Sequence, residues 1–323
     1  MDLVCFGELL IDFVATAAGP LRDAPGFVKA PGGAPANVAV AAARLGVPSA
    51  FIGAVGRDEF GRYLKQVLET NSVDVRALKL SAQGGTPLAF VSLKENAERD
   101  FQFYWEGTAD HHMNPRDVPV RLVRSARVFH YGSISFIHTA TRRAANRAIR
   151  AALDSSSTFV SCDPNLRLNL WPTAKVARRT ILDAIEAAHL VKINEEELEF
   201  LSGSRDPERG IRVFARHSGA ALLVTRGPRG AAYCWGAVEG EVGGFQVNAI
   251  DSTGAGDGFV AGFLRQMLET SSTLRTLAPD AEALMRWVRY ANAVGALATT
   301  RLGAIPAFPT PEEVARLMSS AAR

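Results

Sequence analysis

The segment Asp251-Ser-Thr-Gly-Ala-Gly-Asp-Gly-Phe259 sets a Gly-Ala-Gly turn directly before an acid, Asp257, and then runs into the apolar pattern Phe259, Val260, Phe263, Leu264. That pattern reads as a helix. A glycine turn opening a helix leaves several backbone N–H groups unpaired and pointing one way, and the helix dipole adds positive potential there. Such a place suits an anion, a phosphate above all. A carboxylate beside it repels the guest unless it has a task. The task that fits is to take a proton from a substrate hydroxyl while the N–H groups of Gly254, Ala255 and Gly256 hold the charge building on a transferred phosphoryl group. An Asp in a first helical turn is also favoured by the dipole alone.

Other polar clusters follow short apolar runs. In Pro31-Gly-Gly-Ala-Pro-Ala-Asn37, Gly32 and Gly33 let a ligand approach the backbone closely, and Asn37 offers a donor and an acceptor to a polyol. A tight turn with a helix-capping Asn is the alternative. Asp12 sits inside the apolar run Leu9–Phe13, where a buried acid needs partners such as sugar hydroxyls. Asp163-Pro-Asn-Leu-Arg167 brings an acid, an amide and a guanidinium to one strand end, for a sugar or a phosphate, or as a proline turn with surface polar groups. Asn194 and Glu197 share one face of a starting helix, where hard oxygens suit the water shell of Mg²⁺; an acidic first turn also arises for dipole reasons. Thr225, Gly227 and Gly230 in Thr225-Arg-Gly-Pro-Arg-Gly230, together with Asn292, could line an adenine pocket.

The elements that must position these groups alternate along the chain. Leu3–Phe6, Ala50–Val55, Arg127–Tyr131, Thr158–Cys162, Leu190–Ile193 and Ala221–Thr225 read as buried strands. Helix-period segments lie between them near Ala36–Leu45, Glu59–Glu69, Thr139–Leu153, Lys175–Ala188 and Asp206–His217. Alternating β and α units predict a single α/β domain over residues 1–323, with a mainly parallel central sheet and helices on both faces. Such sheets bind ligands at the carboxyl ends of their strands. One region breaks the pattern: Leu88–Leu93 and Phe101–Trp105, joined by the polar Lys94–Asp100, resemble a hairpin. With Asp12–Gly33 it predicts a small β-sheet lid, about 12–33 and 86–110, that excludes water from a transferring phosphoryl group. Its apolar face also suits a homodimer contact.

Hydrophobic content of 47% with 21% charged residues is that of a soluble globular protein, and 323 residues can bury a large core. A formal charge of +3, with arginines around Arg121–Arg127 and on the helical face Arg142–Arg150, is too small and dispersed for a nucleic-acid surface. No apolar run approaches the roughly 18 residues of a membrane span, and the acidic start lacks the basic region of a signal peptide. Cys5, Cys162 and Cys234 are far apart in strand-like runs, as buried free thiols of a reducing cytoplasm would be. No Gly-Lys pair exists, which excludes a Walker P-loop, and Gly7-Glu-Leu-Leu replaces a dinucleotide-binding turn. His111-His112 is no metal pair, because neighbouring side chains diverge.

Taken in order, Gly7–Asp12, Gly32–Asn37, Asp163–Arg167, Gly254–Asp257, Ala291–Ala296 and Gly303–Pro306 resemble the motifs of the ribokinase-like (PfkB) family of carbohydrate kinases. The resemblance covers nearly the whole chain, and Asp163–Trp171 is most similar to the fructokinase branch. It implies ATP-dependent phosphorylation of a sugar hydroxyl, with Asp257 as base and Gly254–Gly256 as anion hole. It implies sugar contacts from Asp12, Gly32, Gly33, Asn37, Asp163 and Arg167, and from Phe103 and Trp105 on the lid. It further implies Asn194 and Glu197 for Mg²⁺ and phosphate, and Thr225, Gly227, Gly230 and Asn292 for the nucleotide. A monovalent cation such as K⁺ would lie near Asp251, Thr253, Ala298, Arg301 and Gly303. Relatives commonly carry Arg where this chain has Trp105 followed by Glu106. That departure weakens the case for an acidic sugar, since a buried carboxylate wants a paired charge. The expected reaction is fructose to fructose 6-phosphate. The alternatives are 2-keto-3-deoxygluconate or another sugar or keto acid, or a non-catalytic sugar binder on the same fold.

Overall fold

Leu3 and Cys5 leave the first strand on one side, Val4 and Phe6 on the other, and all four are wholly buried. A strand apolar on both faces belongs inside a sheet covered by helices twice over. The computed structural model, which describes residues 1–93 and 99–320, has that architecture. Its strands are β1 Leu3–Phe6, β2 Leu10–Ala15, β3 Phe27–Gly32, β4 Ser49–Gly56, β5 Leu78–Ser81, β6 Leu88–Leu93, β7 Arg99–Tyr104, β8 Val128–Gly132, β9 Phe159–Asp163, β10 Leu190–Asn194, β11 Ala221–Thr225, β12 Ala231–Trp235 and β13 Val238–Val242. The nine-stranded sheet runs β13-β12-β11-β10-β9-β8-β1-β4-β5. All neighbours are parallel except β11–β12 and β12–β13.

One face of this sheet packs on α1 Ala34–Arg44 and α2 Glu59–Thr70. The other carries α3 Val120–Arg124, α4 Thr139–Leu153, α5 Ala174–Ile185, α6 Glu195–Ser202 and α7 Pro207–Ser218. The chain then returns to the first face with α8 Ala255–Thr270, α9 Ala281–Ala298, α10 Ala304–Ala307 and α11 Pro311–Ser320. The fold class is as expected from the alternation. Helix α1 begins two residues before its expected start, at the buried Pro35 turn. Strands β5, β12 and β13 were not foreseen. Patterns such as Val-Glu-Gly-Glu-Val in β13 lack the continuous apolar run of a central strand. The chain departs from β1 in both directions across the sheet, toward β4 and toward β8, so a crevice opens at the carboxyl ends beside β1.

The second sheet, in the order β3-β2-β6-β7, pairs β2 with β6 in parallel and its outer strands antiparallel. It joins the expected Asp12–Gly33 segment to the expected hairpin; residues 94–98 of the polar connection lie outside the described residues. One face buries Leu10, Ala89 and Trp105 against Ile134 and Leu170 of the large domain. On the other, Phe13 stacks on Phe90 at 4.9 Å and meets Phe60 of α2 edge-on at 5.7 Å. Tyr104 continues this aromatic row and is 60% exposed. No helix among the described residues is long and apolar enough to cross a membrane.

Candidate active site

Strands β1, β8, β9 and β10 end side by side, and β1, β9 and β10 each deliver polar groups that the apolar strand behind holds in place. Glu8 follows β1, Asp163 closes β9, and Lys192 and Asn194 come from β10. Helix α8 starts over the same crevice. Its N-cap, Gly254, has φ +79°, a left-handed conformation that glycine adopts without strain. Ala255 N–H donates to Ser252 O, and Gly258 N–H to Gly254 O. The N–H groups of Gly256 and Asp257, between them, meet no acceptor among the described residues. Unpaired N–H groups at a helix start are donors suited to an anion.

Asp257 is 6% exposed and accepts a hydrogen bond from Asn37 Nδ2 at 2.9 Å on Oδ2. Burial, followed by the nearby Asp163 charge, pushes its pKa up to about 7; the Asn37 bond, Lys192 and Arg167 oppose the rise. A carboxylate half ionised near neutrality is suited to taking a proton. Lys192 Nζ donates to Asp163 Oδ2 at 2.9 Å, and burial works against its charge while Asp163, Glu197 and Asp257 hold it. Glu8 accepts from Ala34 N–H at 3.0 Å on Oε1, and its buried Oε2 has no partner. Burial raises its pKa to about 8, so it stays largely protonated at neutral pH. His130, on β8 beneath them, lies 3.2 Å from Ser161 Oγ and is held neutral, its pKa lowered by burial to about 4.

The structure brings together Asn37, Asp163, Arg167, Asn194, Glu197 and Gly254–Asp257, and it refines what several of them do. Asn37 is no helix cap: it sits in the first turn of α1 with its amide on Asp257. A Cβ on Gly32 would fall 2.3 Å from Asp12 Oδ2, and one on Gly33 2.4 Å from Glu8 O. On the side where a Cβ would stand, the room left by these two glycines is filled by the protein's own oxygens. Asn194 and Glu197 form a capping box, Asn194 Oδ1 accepting from Glu197 N–H and Glu197 Oε2 from Asn194 N–H, both at 2.8 Å. Glu197 Oε1 also accepts from Leu166 N–H at 2.6 Å, so this acid pins the Asp163–Arg167 turn to α6. One lone pair remains on each of its oxygens.

Trp105 is packed rather than open: the residue is 7% exposed and its Nε1 donates to Asp110 Oδ2 at 2.6 Å, with Phe103 beside it. After β11, Gly227 has φ +56° and a Cβ there would meet nothing within 4 Å, whereas a Cβ on Gly230 would strike Val242 O at 2.0 Å. Gly230 thus serves the approach of the β13 end. Asn292 Nδ2 donates to Val242 O and Gly243 O, both at 3.1 Å, and Thr225 Oγ1 lies 3.4 Å from Ile193 O. Asp251 accepts from Thr253 N–H and Oγ1 on one oxygen and from Gly303 N–H at 2.9 Å on the other, closing a loop beside the end of α9 at Ala298. The Arg301 side chain turns outward to Glu313, so only its backbone could face a cation there. The sequence reading missed Lys192 and Glu8. One lies inside an apolar strand run, the other in a turn whose partner Ala34 is distant in sequence.

The family model for pfkB family carbohydrate kinases matches residues 1–311. Fructokinase-2 of Solanum lycopersicum is 44% identical, over 99% of this chain and 97% of its own length. A fructokinase from Xylella fastidiosa with bound ATP superposes with a TM-score of 0.91 at 34% identity, covering 100% of this chain and 99% of that one. A fructokinase from Vibrio cholerae in its fructose, ADP and calcium ion bound form gives 0.87 at 33% identity, covering 98% of each chain. A double mutant of it with potassium ion gives 0.86 at 32%, covering 98% and 97%.

Proposed function

Because the chain belongs to the pfkB family of carbohydrate kinases, phosphotransferases with an alcohol acceptor, we propose that it transfers the terminal phosphoryl group of ATP to the 6-hydroxyl of fructose. The observation that carries this reading is a buried carboxylate of pKa about 7, held by Asn37 at the open start of α8. The sugar oxygen attacks the γ-phosphorus, its proton passes to Asp257, and the bond from phosphorus to the ADP oxygen breaks. The N–H groups of Gly256 and Asp257 receive the charge on the transferring group. Asp12, Asn37, Asp163 and Arg167 hold the sugar. The free surface of Gly227 and the turn after Thr225 take the nucleotide. Glu197, through its remaining lone pairs, and Asn194 would hold the water shell of Mg²⁺, which would supply charge neutralisation of the phosphates. The loop of Asp251, Thr253 and Gly303, with backbone oxygens of Ala298 and Arg301, suits K⁺.

The four-stranded sheet acts as the lid. Its exposed Tyr104 and the aromatic row of Phe13, Phe27 and Phe90 support a homodimer through it. The free thiols Cys5, Cys162 and Cys234 support a cytoplasmic location. An ATP-consumption assay with fructose, glucose and 2-keto-3-deoxygluconate tests the reading. Trp105, tied to Asp110, provides no cation for a sugar carboxylate, so kcat/KM for fructose should exceed that for the acid by at least roughly 10²-fold. Comparable values would mean that Arg167 serves a carboxylate and that the substrate is a keto acid. Asp257→Asn, run alongside, should bind both substrates and lose roughly 10²–10⁴-fold or more in turnover.

A further inference from the structure

A Cβ added to Gly256 would lie 2.7 Å from Lys192 Nζ. Gly256 is helical and needs no special φ, so the absence of a side chain there makes room for an ammonium. That ammonium is 7% exposed at residue level and has one protein partner among the described residues, Asp163 Oδ2. A lysine carries three donors, so two face the crevice unused. On the α8 side it lies against Gly256, in the first turn and so near the positive end of the helix, with the Asp257 carboxylate close enough to favour its charge. A cation placed against a helix N-terminus is opposed by the dipole, and burial opposes it again. Asp163 and Glu197 offset part of this from the sheet side. On the helix side the Asp257 carboxylate, when ionised, offsets a further part, and an anion shared by the ammonium and the amides would offset the rest.

We propose that Lys192 is a catalytic residue whose ammonium contacts the transferring phosphoryl group from the sheet side, opposite the α8 amides, as charge builds on its oxygens. The proposal rests on the kinase reading above. Lys192, Gly256 N–H and Asp257 N–H then form one cradle of donors around the phosphorus. Asp163, by holding the ammonium, is as much a part of the phosphoryl site as of the sugar site. Removing one such donor typically costs about 10²–10³-fold in kcat.

The competing role is purely structural, with Lys192 serving only as counter-ion to buried Asp163. Lys192→Met alone strands that acid and risks misfolding, so the test uses two backgrounds. Lys192→Met is compared with wild type, and Lys192→Met/Asp163→Asn with Asp163→Asn, in which the acid is replaced by an amide that needs no counter-ion. Each is measured for kcat with ATP and fructose, for ADP affinity, and for the affinity of ADP with aluminium fluoride and fructose, which mimics the transferring group. The expected result is a loss of about 10²-fold or more in kcat and in aluminium fluoride affinity in the Asp163→Asn background, with ADP affinity within a few-fold. An unchanged kcat in that background, or equal losses for ADP with and without aluminium fluoride, would overturn the proposal. Wild-type protein that consumes ATP with no sugar would instead overturn the kinase reading, a result distinct from either.

Discussion

Replacing Asn37 with Ala removes the single side-chain donor that Asp257 Oδ2 meets among the described residues, at 2.9 Å, without touching the carboxylate itself. Among the influences that hold the Asp257 pKa down, this bond comes before Lys192 and Arg167. A hydrogen bond to a charged group contributes about 1.5–3 kcal/mol, and Asp257 is fully buried, so solvent does not screen the loss. At about 1.4 kcal/mol per pKa unit, the pKa should move from about 7 to about 8–9. The ionised fraction at pH 7 then falls from about half to between roughly a tenth and a hundredth, a loss of about 5–50-fold. The assay is kcat/KM for fructose from pH 5.5 to 10. The acid limb should shift up by one to two units, and activity should recover at its upper end. Asn37 also faces the sugar in our reading, and loss of that contact would lower the whole curve without moving the limb. A curve lowered uniformly, with its acid limb still near 7, would refute the claim that Asn37 tunes the base.

The same burial that raises these pKa values predicts how stability depends on pH. Between pH 6.5 and 8 the unfolded chain has Glu8 and Asp257 ionised, while the folded protein keeps protons on them up to about 8 and about 7. Stability should therefore fall as pH rises, by up to about 1.4 kcal/mol per pH unit for each retained proton. Glu8→Gln should flatten the melting-temperature profile over this window, and an unaltered slope would remove Glu8 from the account. His130 and His189, both lowered to about 4 by burial, act in the opposite sense and only below their usual 6.5. The lid reading predicts that fructose slows hydrogen exchange in β2, β3, β6 and β7 together. Unchanged protection in these strands on adding sugar would argue for a static sheet.

Much of this architecture was legible because burial on both faces leaves its mark as continuous apolar runs. Leu3–Phe6 and Ala221–Thr225 could be read as central strands on that ground, and both bound their strands as observed. Edge strands carry no such mark. In β13 the exposed Glu239 and Glu241 interrupt the pattern, and pairing with β12 decides the structure instead. The α8 start was legible for another reason, since glycine at φ +79° is a local demand. Asn37 was visible as a polar group at a helix start, but its partner lies 220 residues away, and no local rule connects them. Glu197 looked like a ligand because acids in first turns do. Its oxygens also fasten two turns, a role that depends on Leu166 being folded nearby.

Lys192 shows why such a residue escapes a reading based on pattern. Within Leu-Val-Lys-Ile-Asn, its long aliphatic stem occupies a strand position much as a Met would, and the strand remains buried around it. The charge matters only at the tip, where Asp163 from β9 and the α8 amides from much later in the chain converge. Three acids, Asp163, Glu197 and Asp257, surround one ammonium, and burial raises the pKa of the latter two. Placing several like charges in one dry pocket is unfavourable unless protons or a ligand relieve it. Here the arrangement leaves Asp257 near its midpoint at neutral pH. A further anion, the phosphoryl group, would make ionised Asp257 still harder to sustain unless a cation stayed close. On this view the glycine at 256 is kept small for the sake of Lys192: any larger side chain would push the ammonium away at the point where phosphoryl charge and base must coexist.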